Sequence, residues 1–435
     1  MATLGACQLQ ARLAAVQNAT VHQQRVVIHV GTPKSGTTYL QELLWHSREN
    51  LALAGICYPG DASDDHFLAV LDLVDRGFHD WRDARIRGSW SRLVESARAF
   101  PGTTVISHEL LGDLSATEVA AALADLDFAE VHVLATARDL SRQIPAVWVE
   151  DVKNRHHLPF ADFLEILRPG SDQPDLPRPA SGCDEMHGAT FWLRQDLPAV
   201  LRRWTASLPA ERVHVVTLPA GGGDPATLWR RFAKVLGVDP SVGTVPDGTR
   251  NASLGRTEAE LIRRLNERLD YSLEWSRYAP QVTHRLAADV LPGRTGATPM
   301  TVPAADLGWV SARAAAMVEE IRERGYRVVG DLNELLVSTT AVRAASTEPT
   351  DKDLLDAALD ALAALLHGTP AESAPEANLE PVAELLPDAS ATTAPEDLAA
   401  LLPAQRSVET YARRLLLRAS RRARQAARAN ELVGA

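Results

Sequence analysis

The segment from Val26 to Leu44 constrains the fold more than any other part of the chain. An apolar run, Val26 to Val30, is followed by the turn Gly31 to Gly36 and then by leucines at helical spacing. Continuous apolar runs of this kind are typical of parallel strands buried on both faces. The sequence therefore predicts a strand, a loop and a helix. In that order, the backbone N–H groups of the loop and the positive end of the helix form a phosphate cradle.

The position of the lysine in this turn bears on which phosphate is bound. A nucleoside triphosphatase loop carries its lysine directly after the second glycine, where it reaches the terminal phosphates. Here Thr37 follows Gly36, and Lys34 lies two residues before that glycine. An ordinary ATPase or GTPase is therefore disfavoured.

The six residues from Pro33 to Thr38 resemble the 5′-phosphosulfate-binding loop of sulfotransferases. These enzymes take their sulfuryl group from 3′-phosphoadenosine 5′-phosphosulfate. The resemblance implies that the donor is bound by Pro33, Lys34, Ser35, Gly36, Thr37 and Thr38. Tyr39 stands where cytosolic relatives have a tryptophan that stacks on adenine, so it is expected to stack similarly. The alternative is that Tyr39 is a helix residue buried against the sheet. The implied fold is an α/β fold of three layers, with a central parallel sheet flanked by helices, of the P-loop nucleotide-kinase-like type.

A second apolar run, Glu130 to Ala137, ends at Arg138. In sulfotransferases an arginine at such a strand end binds the 3′-phosphate, and guanidinium geometry suits a bidentate contact with phosphate. A serine eight residues further on completes the family's site, but this chain has Ala146 there. Ser141 or Arg142 is the expected substitute. The alternative for Arg138 is a surface ion pair with Asp139 or another carboxylate.

A third strand is predicted over Thr103 to Ser107, and His108 and Glu109 follow it. Open α/β folds place their ligands at the carboxyl ends of the strands, and transfer to a hydroxyl needs a base there. Cytosolic sulfotransferases carry a catalytic histidine in a similar Thr-His pair, whereas heparan-type enzymes use a glutamate. The resemblance implies His108 or Glu109 as the base, with His108 favoured by motif alignment. The alternative for either residue is a surface or helix-capping role.

A polar loop from Pro246 to Gly255 loosely resembles the late loop with which sulfotransferases close over the donor. It implies donor contacts by Arg250, Asn251 and Ser253, with a helix-capping role as the alternative for Ser253.

No zinc-type His-Cys spacing or acidic calcium loop occurs in the sequence, so direct in-line transfer without a metal ion is expected. Lys34 would stabilise the charge that develops on the leaving group. The three cysteines follow no disulfide pattern. Apolar runs are too short to span a membrane, and the first residues lack a signal-peptide pattern, so a cytoplasmic protein is expected.

The composition divides the chain into three predicted segments. Residues 1–339 form the catalytic domain, and residues 340–405 form an acidic, Ala- and Pro-rich linker with a short helix at Asp351 to His367. Residues 406–435 carry eight arginines against two glutamates and form a basic amphipathic helix, which makes the C-terminal extension helical. That helix would lie on an anionic membrane, pack against a protein partner or fold back onto the linker.

The resemblance implies a sulfotransferase that moves a sulfuryl group to a hydroxyl or an amine of a small molecule, a glycan or a lipid. Nucleic acid ranks lowest as a partner because the body is acidic and no recognition fold is visible. The oligomeric state stays open. The alternatives are a P-loop kinase of related fold and a non-catalytic nucleotide-binding protein, which the alanine at position 146 favours.

Overall fold

The computed structural model describes residues 24–168, 187–206, 208–219, 224–244, 254–337 and 348–367. The chain divides into two compact units, Met1–Gly368 and Thr369–Ala435, and all described residues belong to the first. Arg250, Asn251, Ser253 and the segment 406–435 lie outside the described residues. The predicted division at residues 339 and 405 stays a prediction.

Six parallel strands form one sheet in the order β2-β3-β1-β4-β5-β6. Their bounds are β1 (Arg25–His29), β2 (Ile56–Cys57), β3 (Thr103–Ser107), β4 (Glu130–Ala137), β5 (Val213–Thr217) and β6 (Arg327–Val329). Arg25 at the start of β1 is in register with Thr103 on β3 and with Glu130 on β4. The predicted α/β class with a central parallel sheet is confirmed.

Helices connect and cover the strands. They are α1 (Thr37–His46), α2 (Arg48–Leu53), α3 (Asp65–Leu73), α4 (Ser89–Ala99), α5 (Ala116–Asp125), α6 (Leu140–Lys153), α7 (Phe160–Leu167), α8 (His187–Gln195), α9 (Leu197–Thr205), α10 (Pro225–Leu236), α11 (Arg256–Leu269), α12 (Trp275–Tyr278), α13 (Leu307–Glu323) and α14 (Asp351–His367). A π-helical segment spans Ala279–Val290, and a 3₁₀ turn spans Glu109–Asp113. None of the described helices is long and apolar enough to cross a membrane.

The side chains of β1 alternate between two apolar layers, as the pleat of a strand requires. Val27 packs with Leu43 of α1 and Phe232 of α10 on one face. Ile28 lies in the cluster that contains Trp204 of α9 on the opposite face. Helices thus flank the sheet on both sides, which explains why the strands read as continuous apolar runs.

A third apolar cluster lies among helices. It includes Phe163 of α7, Ile262 of α11 and Leu286 of the π-helical segment. Ala361 of α14 packs into the same cluster, so the predicted helix at Asp351 to His367 is confirmed and rests on the body of the first unit.

Candidate functional site

The strand order opens a crevice at the carboxyl ends of β1 and β4. From β1 the chain moves two places across the sheet to β2, whereas from β4 it moves in the opposite direction to β5. Ligands of open α/β sheets bind where connections diverge in this way. The loop after β1 and Arg138 after β4 both lie at this edge, as predicted.

Two glycines shape the loop. Gly31 and Gly36 have φ angles of 90° and 84°, in the left-handed region that glycine adopts without strain. A Cβ atom on Gly36 would lie 2.4 Å from Cδ2 of Leu228 on α10, and one on Gly31 would lie 3.0 Å from Cβ of Glu109. The loop therefore needs glycine at both positions for close packing as well as for φ.

The carbonyl groups of the loop are held from outside. The Pro33 carbonyl accepts hydrogen bonds from Nε2 of Gln195 at 3.1 Å and from Nε2 of Gln143. The Lys34 carbonyl accepts one from Nη1 of Arg138 at 3.4 Å. These contacts fix the direction of the backbone.

The amide groups of the loop are left available for a ligand. Among the described residues, no acceptor is hydrogen-bonded to the backbone N–H of Lys34, Gly36, Thr37, Thr38 or Tyr39. These amides surround the start of α1, where the helix dipole favours negative charge. The arrangement is suited to an anion, and the phosphate cradle stays a prediction.

The side chains of the loop divide into structural and open groups. Ser35 is fully buried, and its Oγ lies 2.6 Å from Oγ1 of Thr136 and donates to the Thr32 carbonyl. Thr37 is also buried, whereas Thr38 is exposed. Tyr39 packs against the apolar cluster of α1 and α10, in line with the alternative that buries it against the body. Of the residues Ser35 and Thr37, Thr37 leaves its backbone amide open to a ligand, whereas the Ser35 amide donates to the Thr32 carbonyl at 3.3 Å.

His29 lies beneath the loop and was missed by the sequence analysis. Its Nδ1 is 2.8 Å from Oγ of Ser107, and its Nε2 is 3.1 Å from Oγ1 of Thr136. Burial lowers the pKa of His29 to about 4, so the ring is neutral at pH 7. A neutral histidine thereby joins the ends of β3 and β4 to β1. The sequence signal that could have identified His29 is its position as a polar residue within an apolar strand run.

Lys34 is paired with a second residue that the sequence analysis missed. Its Nζ lies 2.9 Å from Oε2 of Glu150 on α6, and Nζ of Lys153 lies 3.3 Å from the same oxygen. Burial opposes ionisation of Glu150, but the two lysines outweigh it and lower its pKa to about 2. Glu150 therefore stays ionised beside the loop.

His108 and Glu109 leave β3 with different partners. Nδ1 of His108 accepts a hydrogen bond of 3.2 Å from the Leu110 amide, which caps the 3₁₀ turn. Oε2 of Glu109 accepts one of 3.1 Å from Nε2 of Gln41 on α1. Burial raises the pKa of Glu109, but His108, the hydrogen bonds and Lys34 together lower it below its ordinary value. Glu109 is thus an ionised carboxylate close to the loop.

Arg138 has no carboxylate partner among the described residues, since Asp139 is engaged elsewhere. Asp139 accepts from Oγ of Ser141 at 2.5 Å and from Nε of Arg142. Burial, followed by the charge of Arg142, lowers the pKa of Arg138. The ion pair with Asp139 is therefore formed by Arg142. Within the part of the chain that the structure describes, the hydrogen bond to the Lys34 carbonyl is the one that the Arg138 guanidinium makes.

Arg194 and Asp151 add charge to the same region. Nη2 of Arg194 lies 2.8 Å from Oδ2 of Asp113 at the end of the 3₁₀ turn. Burial raises the pKa of Asp151 to about 7, although Arg194 and Lys34 oppose the rise. Clusters of titratable groups with shifted pKa values are typical of functional sites. No sequence motif marked either residue.

Within the described ranges, no group of three or more His, Cys, Asp or Glu side chains is placed to hold a metal ion. Comparisons of the chain with protein-family models, with curated proteins and with solved structures gave no match.

Proposed function

We propose that this chain is a sulfotransferase that uses 3′-phosphoadenosine 5′-phosphosulfate and transfers its sulfuryl group to an acceptor hydroxyl. The observation that carries the proposal is the loop from Pro33 to Thr38. Its sequence resembles the phosphosulfate-binding loop, and its amides from Gly36 to Tyr39 are unpaired among the described residues. Motif and geometry agree on an anion at the start of α1.

The topology supports a fold of the P-loop nucleotide-kinase-like type. β1 lies between β3 and β4 in the order 2-3-1-4-5-6, which differs from the orders 3-2-1-4-5-6 and 2-1-3-4-5 of the common dinucleotide- and flavin-binding folds. In this order the loop after β1 is flanked by Glu109 after β3 and Arg138 after β4. Base, cradle and arginine then come from three adjacent strands.

Arg138 is the residue that we assign to the 3′-phosphate. Its guanidinium is partly buried and has no carboxylate partner in the described ranges, so it gains charge compensation when a phosphate binds to it. Ser141 and Arg142 are both bonded to Asp139, so they fix the start of α6 and act on the phosphate site through that residue.

The chemistry requires one proton transfer and one displacement. Glu109 accepts the proton of the acceptor hydroxyl, whose oxygen forms a bond to sulfur. The bond between sulfur and the bridging phosphate oxygen breaks, and that oxygen keeps the electron pair. Lys34 and the loop amides stabilise the negative charge that develops on this oxygen.

The experiment is calorimetric titration with 3′-phosphoadenosine 5′-phosphate, in parallel with ATP and magnesium. We expect metal-independent binding that weakens about ten- to a hundredfold in Lys34→Ala and Arg138→Ala, the loss for one charged hydrogen bond. Lys234→Ala and Arg277→Ala, which change exposed side chains, are the matched controls. Preference for ATP, or no binding of the bisphosphate, would contradict the proposal.

One observation favours a second candidate, a nucleotide-binding protein without turnover. Ala146, on the partly exposed face of α6, offers no hydroxyl at the position of the family's phosphate-binding serine. This candidate predicts that the chain binds the bisphosphate but does not convert 3′-phosphoadenosine 5′-phosphosulfate to it with any acceptor.

A further inference from the structure

One carboxylate is shared by two lysines next to the candidate cradle. Oε2 of Glu150 lies 2.9 Å from Nζ of Lys34 and 3.3 Å from Nζ of Lys153. The side chains of Lys34 and Glu150 are 34% and 37% exposed, so the pair is neither fully solvated nor sealed inside the protein. A ligand at the loop can therefore compete with Glu150 for Lys34.

Helix α6 places this carboxylate by its periodicity. Gln143 and Glu150 are seven residues apart, which is close to two helical turns, and so they lie on one face of the helix. Gln143 donates to the Pro33 carbonyl at one end of this face, and Glu150 binds the Lys34 ammonium at the other. The same helix face thus fixes the loop backbone and captures the loop lysine.

We propose that Glu150 is a positioning residue that holds Lys34 beside Glu109 in the donor-free protein and yields it to the bound phosphosulfate. The inference rests on the proposed function and adds a residue that it does not assign. Lys34 can leave Glu150 for the phosphosulfate because Lys153 remains paired with Glu150. The carboxylate is then not left without a counter-charge, which would be costly in a partly buried site.

Other charged groups surround the pair and take part in its balance. Asp151 and Arg194 interact with each other, and Lys34 acts on Asp151 and on Glu109. Glu150 is nevertheless the carboxylate in direct contact with the Lys34 ammonium. Donor binding must therefore break this ion pair, and its cost is part of the donor affinity.

The test is a double-mutant cycle on the full chain with 3′-phosphoadenosine 5′-phosphate as the probe. Glu150→Gln keeps the shape of the side chain and removes its charge. We expect it to tighten binding about two- to fivefold, the value of a partly exposed ion pair. In the Lys34→Ala background the same substitution is expected to change the affinity less than about 1.7-fold, the lower end of the margin within which independent sites are additive.

Two further variants sharpen the test. Glu165→Gln removes a carboxylate on α7 whose Oε2 lies 3.1 Å from Nη1 of Arg168 just after that helix, and we expect it to leave the affinity unchanged. Glu150→Asp keeps the charge but shortens the side chain. We expect its affinity for the bisphosphate to lie between those of the wild type and Glu150→Gln.

The outcomes separate this inference from the proposed function. Binding that depends on Lys34 but does not tighten in Glu150→Gln overturns the positioning role and leaves the donor site standing. Equal tightening with and without Lys34 shows simple repulsion of the phosphate by Glu150 and also overturns it. A wild-type chain that does not bind the probe overturns both.

Discussion

Glu109 and His108 are neighbours at the end of β3, and one hydrogen bond separates their roles. Because Nδ1 of His108 accepts from the Leu110 amide, the proton of the neutral ring lies on Nε2. Burial also lowers the pKa of His108, so the neutral form dominates at pH 7. Its remaining nitrogen donates and cannot accept a proton. We therefore propose Glu109, which is ionised and hydrogen-bonded to Gln41, as the base.

We predict that Glu109→Gln lowers the rate of bisphosphate release from 3′-phosphoadenosine 5′-phosphosulfate by about 10²- to 10⁴-fold, the usual contribution of a general base. His108→Asn is expected to cost less than tenfold, because a side-chain acceptor for the Leu110 amide is kept. The rates are measured in water and with a panel of alcohols, and bisphosphate binding is the control for folding. A larger loss in His108→Asn than in Glu109→Gln would return the base to the histidine.

At the scale of the element, the loop after β1 depends on the fit between Gly36 and α10. We predict that Gly36→Ala lowers the free energy of unfolding by about 1–2 kcal/mol through its positive φ and by about 1–3 kcal/mol more through contact with Leu228. Gly296→Ala is the matched control, since Gly296 has a φ of 81° and nothing within 4 Å of its Cβ position. Urea unfolding measures both. Equal losses would show that Leu228 adds nothing.

The strand, loop and helix around Gly36 could be predicted because their signals are local: an apolar run, a small-residue turn and leucines at helical spacing. The partner of Lys34 could not, because Glu150 is 116 residues away and reaches it only after the sheet is assembled. The different hydrogen-bond partners of His108 and Glu109 could not be predicted for a different reason. It depends on a 3₁₀ turn that begins at Glu109 and directs the two side chains to different partners.

At the scale of the whole molecule, histidines in the sheet and in a helix packed beside it stay neutral in the folded state at pH 7. His29 on β1 and His214 on β5 are buried. Nδ1 of His66 on α3 accepts a hydrogen bond from the Ser107 amide at the end of β3. Burial lowers the pKa of all three to about 4. Asp151 is shifted in the opposite sense, since burial raises its pKa to about 7.

These shifts predict how stability depends on pH. Unfolded histidines bind protons below about pH 6.5, whereas the folded ones do so only near pH 4, so each histidine lowers stability as the pH falls through this window. Asp151 has the opposite effect on stability, because the folded chain binds the proton of Asp151 at a higher pH than the unfolded chain does. We expect the urea midpoint to fall between pH 7 and pH 5, more steeply in Asp151→Asn and less steeply in His66→Gln. Slopes that move in the same direction in both variants would contradict this assignment of neutral histidines and a protonated aspartate.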